Sequence, residues 1–288
     1  MNNLSLINWS LASEVGYPKF FYRYFIRQFY KRVLQQDNII HLNQEISINL
    51  PRNSRFGTEL FVKNGYVDWG SEEYFIRYLD RKKSFLDIGA NIGYYSLLLS
   101  PYCHKVYAFE PDPRSLKALK ENARKVDNIT VIQEAVYSKA GEMQFDVTRL
   151  PELSKLNIKS KAVPGDYINV KVNTLDNFAS QHPYLRVTAI KTDVEGADLE
   201  VLLGGKNLIE REQPLILSEA FPDNRLLEYA KQLDYLIFAF VKPKDKSKYH
   251  SKPRFIQITE YPKDILPKMI FLVPKRLHQE FFQVTNKG

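Results

Sequence analysis

The apolar positions of this chain change their period repeatedly, and the period names the elements. From residue 84 onward, short apolar runs of strand character recur near 84–89, 105–110, 129–135, 187–193, 214–219, 234–241 and 269–273. Helical spacing fits between them, at about 92–99, 113–125, 174–180, 196–203 and 223–232. Pro101, Gly204-Gly205 and Pro222 supply breaks where this reading needs them. Strands that alternate with helices predict an α/β fold, with a Rossmann-like, mostly parallel sheet covered by helices on both faces. In such a sheet ligands bind outside the carboxyl ends of the strands, at the point where strand order reverses.

Ahead of that alternation the pattern differs. In "FFYRYFIRQFYKRVL", Arg23, Arg27 and Lys31 recur at i, i+4 spacing, and Phe21, Phe25, Phe29 and Val33 recur on another side. This is a basic amphipathic helix with an aromatic face, which suits packing onto the domain, a second subunit or a membrane surface. "INLPRNSRFG" (48–57) reads as a link into the main domain. The expected organisation is an N-terminal helical and β extension over 1–57, a main domain over 58–276 and a C-terminal tail over 277–288.

Composition narrows the class. With 44% hydrophobic and 26% charged residues, the chain is that of a folded protein and not a disordered one. A single cysteine, Cys103, excludes an internal disulfide. The N-terminus lacks a secretory pattern, and the longest uncharged run, Ile88 to His104, is shorter than the about 18 residues of a membrane span. The expected location is cytoplasmic, with membrane association left open. Of the net charge of +8, residues 241–288 carry 11 − 4 = +7. "KPKDKSKYHSKPR" (242–254) sets six basic residues against Asp245, which suits either a solvated loop or an anionic acceptor or surface.

The polar residues of interest fall at strand ends. The first strand runs into Asp87-Ile-Gly89-Ala90-Asn91-Ile-Gly93, small residues that let a backbone pass close to a ligand before a helix begins. The second ends in "FEP", with Glu110 and Pro111; Glu110 follows Gly89 by 21 residues, near the ~20 at which an acid reaches ribose hydroxyls. The third ends in Glu134-Ala135, a position for a nucleobase edge. A dinucleotide fingerprint fails here, because Asn91 and Tyr94 stand where it needs glycines. S-adenosylmethionine, with an adenosine but no phosphate, suits the pattern better.

Taken together, "FLDIGANIGYYS", "AFEPDP", "VNTLDNF" and "IKTDVEGADLEVLLGG" resemble the FkbM family of class I methyltransferases. The resemblance runs from about Gly70 to Ala220. It implies a seven-stranded sheet of order 3-2-1-4-5-7-6, S-adenosylmethionine as methyl donor, and O-methylation of hydroxyls on sugars, glycans or glycosylated natural products. Thr192 and Asp198 depart from it, standing where the family more often has an aliphatic residue and Glu.

Chemistry is expected at the end of the fourth strand. Strand period puts Lys191 and Asp193 on one side, with Asp193 pointing into the cleft as a candidate general base and Lys191 orienting it or a substrate oxygen. Glu195, at the following helix start, and Glu219, ending the fifth strand, complete the catalytic candidates. These carboxylates also leave Mg2+ an open option, although no spacing demands it. His182 and His250 read as surface residues and Cys103 as packing. The long segment "DVTRLPELSKLNIKSKAVPGDY" (146–167) could cover the acceptor. Two rival classes remain at this stage. A nucleic-acid methyltransferase would explain the basic tail, but "KTDVEG" stands in place of an Asn-Pro-Pro-Tyr type of sequence. A non-catalytic protein that only binds S-adenosylmethionine is opposed by Lys191, Asp193 and Glu195.

Overall fold

Leu215, Ile216 and Leu217 follow one another on a single strand yet join two different cores, one on each side of the sheet. The same alternation separates Phe85 from Leu86, and Phe271 from Ile270 and Leu272. Successive strand side chains point to opposite faces, so a sheet covered on both sides needs continuous apolar runs, which is what the sequence supplies.

The computed structural model of the protein describes residues 8–147, 167–245 and 251–285. The chain begins with α1 (Trp9–Val15) and α2 (Tyr17–Phe29), which passes into a π-helical turn (Tyr30–Leu34). An antiparallel hairpin follows, β1 (Asn38–His41) with β2 (Ser47–Leu50), then α3 (Arg55–Lys63) and α4 (Ser71–Arg77). The alternating region starts with β3 (Ser84–Ile88), α5 (Tyr94–Leu99), β4 (Lys105–Phe109), α6 (Pro113–Ala123) and β5 (Ile129–Ile132). It is interrupted by β6 (Ala135–Val136), β7 (Gly141–Asp146) and β8 (Tyr167–Asn173), which form a separate three-stranded sheet. It resumes with α7 (Leu175–Gln181), β9 (Val187–Thr192), α8 (Asp198–Leu203), α9 (Lys206–Glu212), β10 (Leu215–Ser218) and α10 (Asn224–Gln232). The chain closes with β11 (Tyr235–Pro243), β12 (Arg254–Ile258), β13 (Ile265–Pro274) and α11 (His278–Thr285).

The main sheet has the order β12-β11-β13-β10-β9-β3-β4-β5. Read from β5 to β11, seven of these strands follow the expected order 3-2-1-4-5-7-6, and the strand count is corrected: among the described residues β12 adds an eighth strand at the edge, and the sheet is mixed. Pairs among β10, β9, β3, β4 and β5 are parallel, whereas β13 is antiparallel to both β10 and β11, and β12 is antiparallel to β11. β12 follows the basic segment, where charge hid its strand character. The expected third strand over 129–135 is split, because β5 ends at Ile132 and Ala135 pairs with Val172 in the small sheet.

Caps and glycines explain several boundaries. The side chains of Ser54, Asp112, Thr174 and Asp223 accept backbone N–H groups at the starts of α3, α6, α7 and α10. The break between α8 and α9 rests on Gly204, where a Cβ would lie 2.3 Å from the Tyr137 carbonyl oxygen. The expected link over 48–57 is instead β2 and the start of α3, and the boundary after residue 57 falls inside α3.

Candidate active site

A cavity of about 340 Å³ opens at the carboxyl ends of β3, β4, β9 and β10, within the range of small-molecule sites. Gly89, Ala90 and Asn91 line it from the turn after β3, Glu110 and Pro111 from the end of β4, and Glu134 and Ala135 from the start of the small sheet. Lys191, Asp193 and Glu195 line it from β9 and its loop, and Glu219 from the end of β10. Two expected cofactor residues do not reach it. Asp87 is fully buried beside Lys191, and Gly93 caps the start of α5, where an added Cβ would lie 2.8 Å from Leu119 Cδ1.

The turn after β3 has a reason other than cofactor approach alone. Gly89 has φ +75°, and an added Cβ would meet the Asp193 carbonyl oxygen at 2.0 Å. The neighbouring strand end requires this glycine before any ligand does. Asn91, at φ 52°, turns its N–H onto Glu110 Oε2 at 2.8 Å, and the Asp112 N–H reaches Oε1 at 2.8 Å. Each Glu110 oxygen thus accepts one backbone donor and retains a second lone pair. Burial raises the Glu110 carboxyl to about 7 against the pull of those two N–H groups. Glu134 is held by Lys171 and by Asn173 Nδ2, at 2.9 Å, from β8.

Across the cavity, β3 and β9 bring charges together. Asp87 and Lys191 are register partners, and Lys191 Nζ lies 3.7 Å from Asp87 Oδ1 and 3.4 Å from Asp193 Oδ2 while donating to the Gly89 carbonyl at 2.9 Å. Burial opposes the lysine charge, but Asp193, Asp87 and Glu219 outweigh it and hold the ammonium above its usual range. Asp193 is the reverse case: burial works to raise it, and Lys191 with the Glu219 hydrogen bond brings it below its ordinary value. Glu219 is pushed upward by burial and by Asp193, so it is protonated at neutral pH and donates to Asp193. The two carboxyl groups share one charge.

The two residues that depart from the family pattern explain each other. Thr192 Oγ1 donates to Ser218 Oγ at 2.8 Å, and Ser218 Oγ approaches Asp198 Oδ1 at 3.4 Å. All three side chains are buried, and burial together with Asp193 raises the Asp198 carboxyl to about 6.

Sequence reasoning missed the opposite wall. Arg55, Phe56 and Glu59 reach it from α3, Asp68 from the turn before α4, and Lys268 and Met269 from β13. Lys268 donates to Glu59 Oε1 at 2.8 Å and to the Val67 carbonyl at 2.9 Å, and its Nζ lies 3.3 Å from Asp68 Oδ1. Tyr95 closes the base, donating to Asp68 with its ring 5.6 Å from Lys191 Nζ. Nothing local marks these residues in the sequence, apart from Tyr94 and Tyr95 directly after the glycine turn.

The remaining expectations resolve simply. His182 pairs Nδ1 with the Phe178 carbonyl and packs on that ring, and Cys103 is buried with its thiol raised to about 12. His250 and most of 146–167 lie outside the described residues. In the basic segment, Lys242 is buried over Trp69 and near Glu14, and Lys244 donates to the Pro262 carbonyl between Phe221 and Tyr261. Lys246 and Lys248 lie outside the described residues. Among the described residues, no group of three His, Cys, Asp or Glu side chains is placed to hold a metal ion, so the Mg2+ option gains no site.

Known proteins share parts of this chain. It is 26% identical over 180 residues to a hexuronic acid methyltransferase, AglP, of Haloferax volcanii, covering 62% of this chain and 66% of that protein. It is 28% identical over 160 residues to a 2-O-methyltransferase, NoeI, of Sinorhizobium fredii, covering 50% of this chain and 65% of that one. The chain thus spans just under two-thirds of the length of these relatives. A crystal structure of a methyltransferase FkbM from Methylobacillus flagellatus aligns with a TM-score of 0.41 at 17% identity, over 75% of this chain and 52% of the other. Residues 87–243, more than half of the chain, match the methyltransferase FkbM domain, and the protein belongs to that family.

Proposed function

We propose that the protein is an S-adenosylmethionine-dependent O-methyltransferase whose acceptor is a hydroxyl group of a sugar or glycan. The observation that carries this reading is the charge of the cavity. Glu59, Asp68, Glu110, Glu134, Asp193 and Glu195 line it against Arg55, Lys191 and Lys268, beside the protonated Glu219. An acid-rich, partly desolvated site favours a cationic cofactor. Its carboxylates are also acceptors for the hydroxyls of a polyol.

The residues present fit the cofactor. Glu110 offers a lone pair on each oxygen to a pair of ribose hydroxyls, and Pro111, Ala135 and Phe145 offer apolar wall beside Glu134 for a base. When bound, S-adenosylmethionine supplies an electrophilic methyl group to the acceptor oxygen. Asp193, ionised and facing the cavity, takes the proton that the acceptor hydroxyl gives up. Glu219 holds Asp193 in place as a hydrogen-bond donor, and Lys191 fixes it from below. General-base assistance is worth roughly 10²–10⁴ in rate, and positioning up to ~7–11 kcal/mol of the barrier.

The acceptor half comes from outside the family-matched segment. Arg55, Glu59, Asp68 and Lys268 all lie outside residues 87–243, so selection among acceptors rests on the flanking elements. The relatives named for a hexuronic acid and for 2-O-methylation support a saccharide as the class to test. Purified protein with labelled S-adenosylmethionine and a panel of neutral sugars, uronic acids and glycans should give alkali-stable methyl ethers by mass spectrometry. Cofactor binding without transfer to any hydroxyl acceptor, or transfer to RNA instead, would overturn the reading.

A further inference from the structure

Helix α2 turns Arg23 and Arg27 inward beside the buried Phe20, and turns Phe21, Tyr22, Phe25 and Phe29 outward. Arg27 is fully buried and donates to Asn38 Oδ1 at 2.6 Å, the Leu50 carbonyl at 3.1 Å and the Pro51 carbonyl at 2.6 Å. Arg23 donates to the Phe61 carbonyl at 2.7 Å and to Asn64 Oδ1 at 2.8 Å, with its guanidinium over the Phe61 ring. Beside the side-chain oxygens of Asn38 and Asn64, the acceptors are carbonyl groups at the end of β2 and on the last turn of α3, where carbonyl groups lack helical partners. A helix pinned through its basic side presents its other side to solvent.

That other side is aromatic. Phe25 is 72% exposed, Tyr22 69% and Val33 63%, and Phe21 and Phe29 fall at the same i, i+4 spacing. Trp9 of α1 extends the patch, meeting the Phe21 ring edge-on at 6.2 Å between centroids. Of the sixteen large hydrophobic side chains that are exposed among the described residues, eight lie between Trp9 and Leu34. Single exposed apolar side chains are ordinary, but a contiguous set marks a surface that something covers.

Charge selects the occupant. From Val15 to Gln36 the sequence holds Lys19, Arg23, Arg27, Lys31 and Arg32 and no Asp or Glu. Lys19, with Nζ 3.4 Å from the Lys63 carbonyl, and Arg32 are the exposed cations of this stretch, one near each end of it. A second copy docking through the same face would bring like charges together, because a two-fold contact pairs the patch with itself. An anionic lipid surface would instead receive the exposed Lys19 and Arg32 at its headgroups, while Trp, Tyr and Phe rings enter the boundary with the acyl chains. No helix among the described residues is long and apolar enough to cross a membrane, so the contact is one of lying on the surface. We propose that the α1–α2 face docks the protein onto an anionic membrane surface.

The test is sedimentation of the full chain with vesicles of phosphatidylcholine alone and of phosphatidylcholine mixed with phosphatidylglycerol. The intact protein should partition onto the mixed vesicles at least roughly tenfold better than onto the neutral ones, and added salt should weaken the binding. A Tyr22→Ser, Phe25→Ser, Phe29→Ser variant should lose roughly tenfold or more of that partitioning. These side chains are exposed, so its circular dichroism and melting temperature should match the parent. Three results would each overturn the proposal: absence of partitioning, equal partitioning of the triple variant, or light scattering that shows a dimer abolished by the triple variant without vesicle binding by either protein.

Discussion

Asp87 and Lys191 are direct register partners on adjacent parallel strands, and their side chains share the sheet face that carries Phe85 and Ala189. Asp87 Oδ2 accepts the Ser96 hydroxyl, whereas Oδ1 has no hydrogen-bond donor among the described residues and only the lysine charge at 3.7 Å. Lys191→Met would leave Asp87 buried and unopposed. Breaking such a pair costs about 3–5 kcal/mol. Burial already raises Asp87, and without the ammonium it rises further, so the folded variant binds a proton that the unfolded chain releases. Stability of the variant should therefore fall as pH rises, giving a larger loss at pH 8 than at pH 5 in urea unfolding. An equal loss at both would dismiss Asp87 as the cause.

Asp193→Asn keeps size and a hydrogen bond but removes the basic oxygen. Turnover should drop roughly 10²–10⁴ with cofactor affinity nearly unchanged. Glu219→Gln should be milder, because an amide N–H can still donate to Asp193. The two variants, compared by single-turnover transfer with a methylatable sugar, separate the base from its support. Full activity in Asp193→Asn would move the base elsewhere.

Glu110→Ala should weaken S-adenosylmethionine binding by about 1.5–3 kcal/mol, the value of hydrogen bonds to a charged group. The free carboxyl lies at about 7, so binding by the wild type should also depend on pH. Below that value Glu110 carries a proton and one oxygen loses acceptor capacity, so affinity should fall as pH falls from 8 to 6. Calorimetry across that interval checks both statements, and the variant should show a flatter profile.

Glu72 sits behind the cavity as a buried acid. Its Oε1 accepts the N–H groups of Val67 and Asp68 and the Tyr94 hydroxyl, and its Oε2 has no partner among the described residues. Burial, with Asp68 adding to it, raises the carboxyl to about 7 from an ordinary 4.5. Between those values the folded protein holds a proton that the unfolded chain has lost, so this group lowers stability as pH rises through the window. Glu72→Gln preserves the accepting oxygen and removes the charge. It should flatten the pH 5–8 dependence and add on the order of 1–3 kcal/mol at pH 8, measured by chemical unfolding. An unchanged pH dependence would show that Glu72 does not titrate in that window.

The local pattern of this chain was enough to place most of the strands and helices of the α/β region and the side to which Lys191 and Asp193 point. Strand period and helix caps act over a few residues, and both are written in consecutive positions. It also marked Glu110, because the distance from a glycine turn to the next strand end is set by one helix and two loops. Tertiary structure alone decided the rest. Arg55, Glu59, Asp68 and Lys268 come from segments about two hundred residues apart, and only the antiparallel seating of β13 beside β10 brings them to one wall. The small sheet of β6, β7 and β8 depends on pairing across a long insertion, which no local period encodes. The amphipathic period of α2 was legible, but which face turns inward was not. Hydrophobicity argued for burying Phe21, Phe25 and Phe29, and the unpaired carbonyls of α3 and β2 drew in the arginines instead, because buried acceptors without donors cost more than exposed aromatic surface.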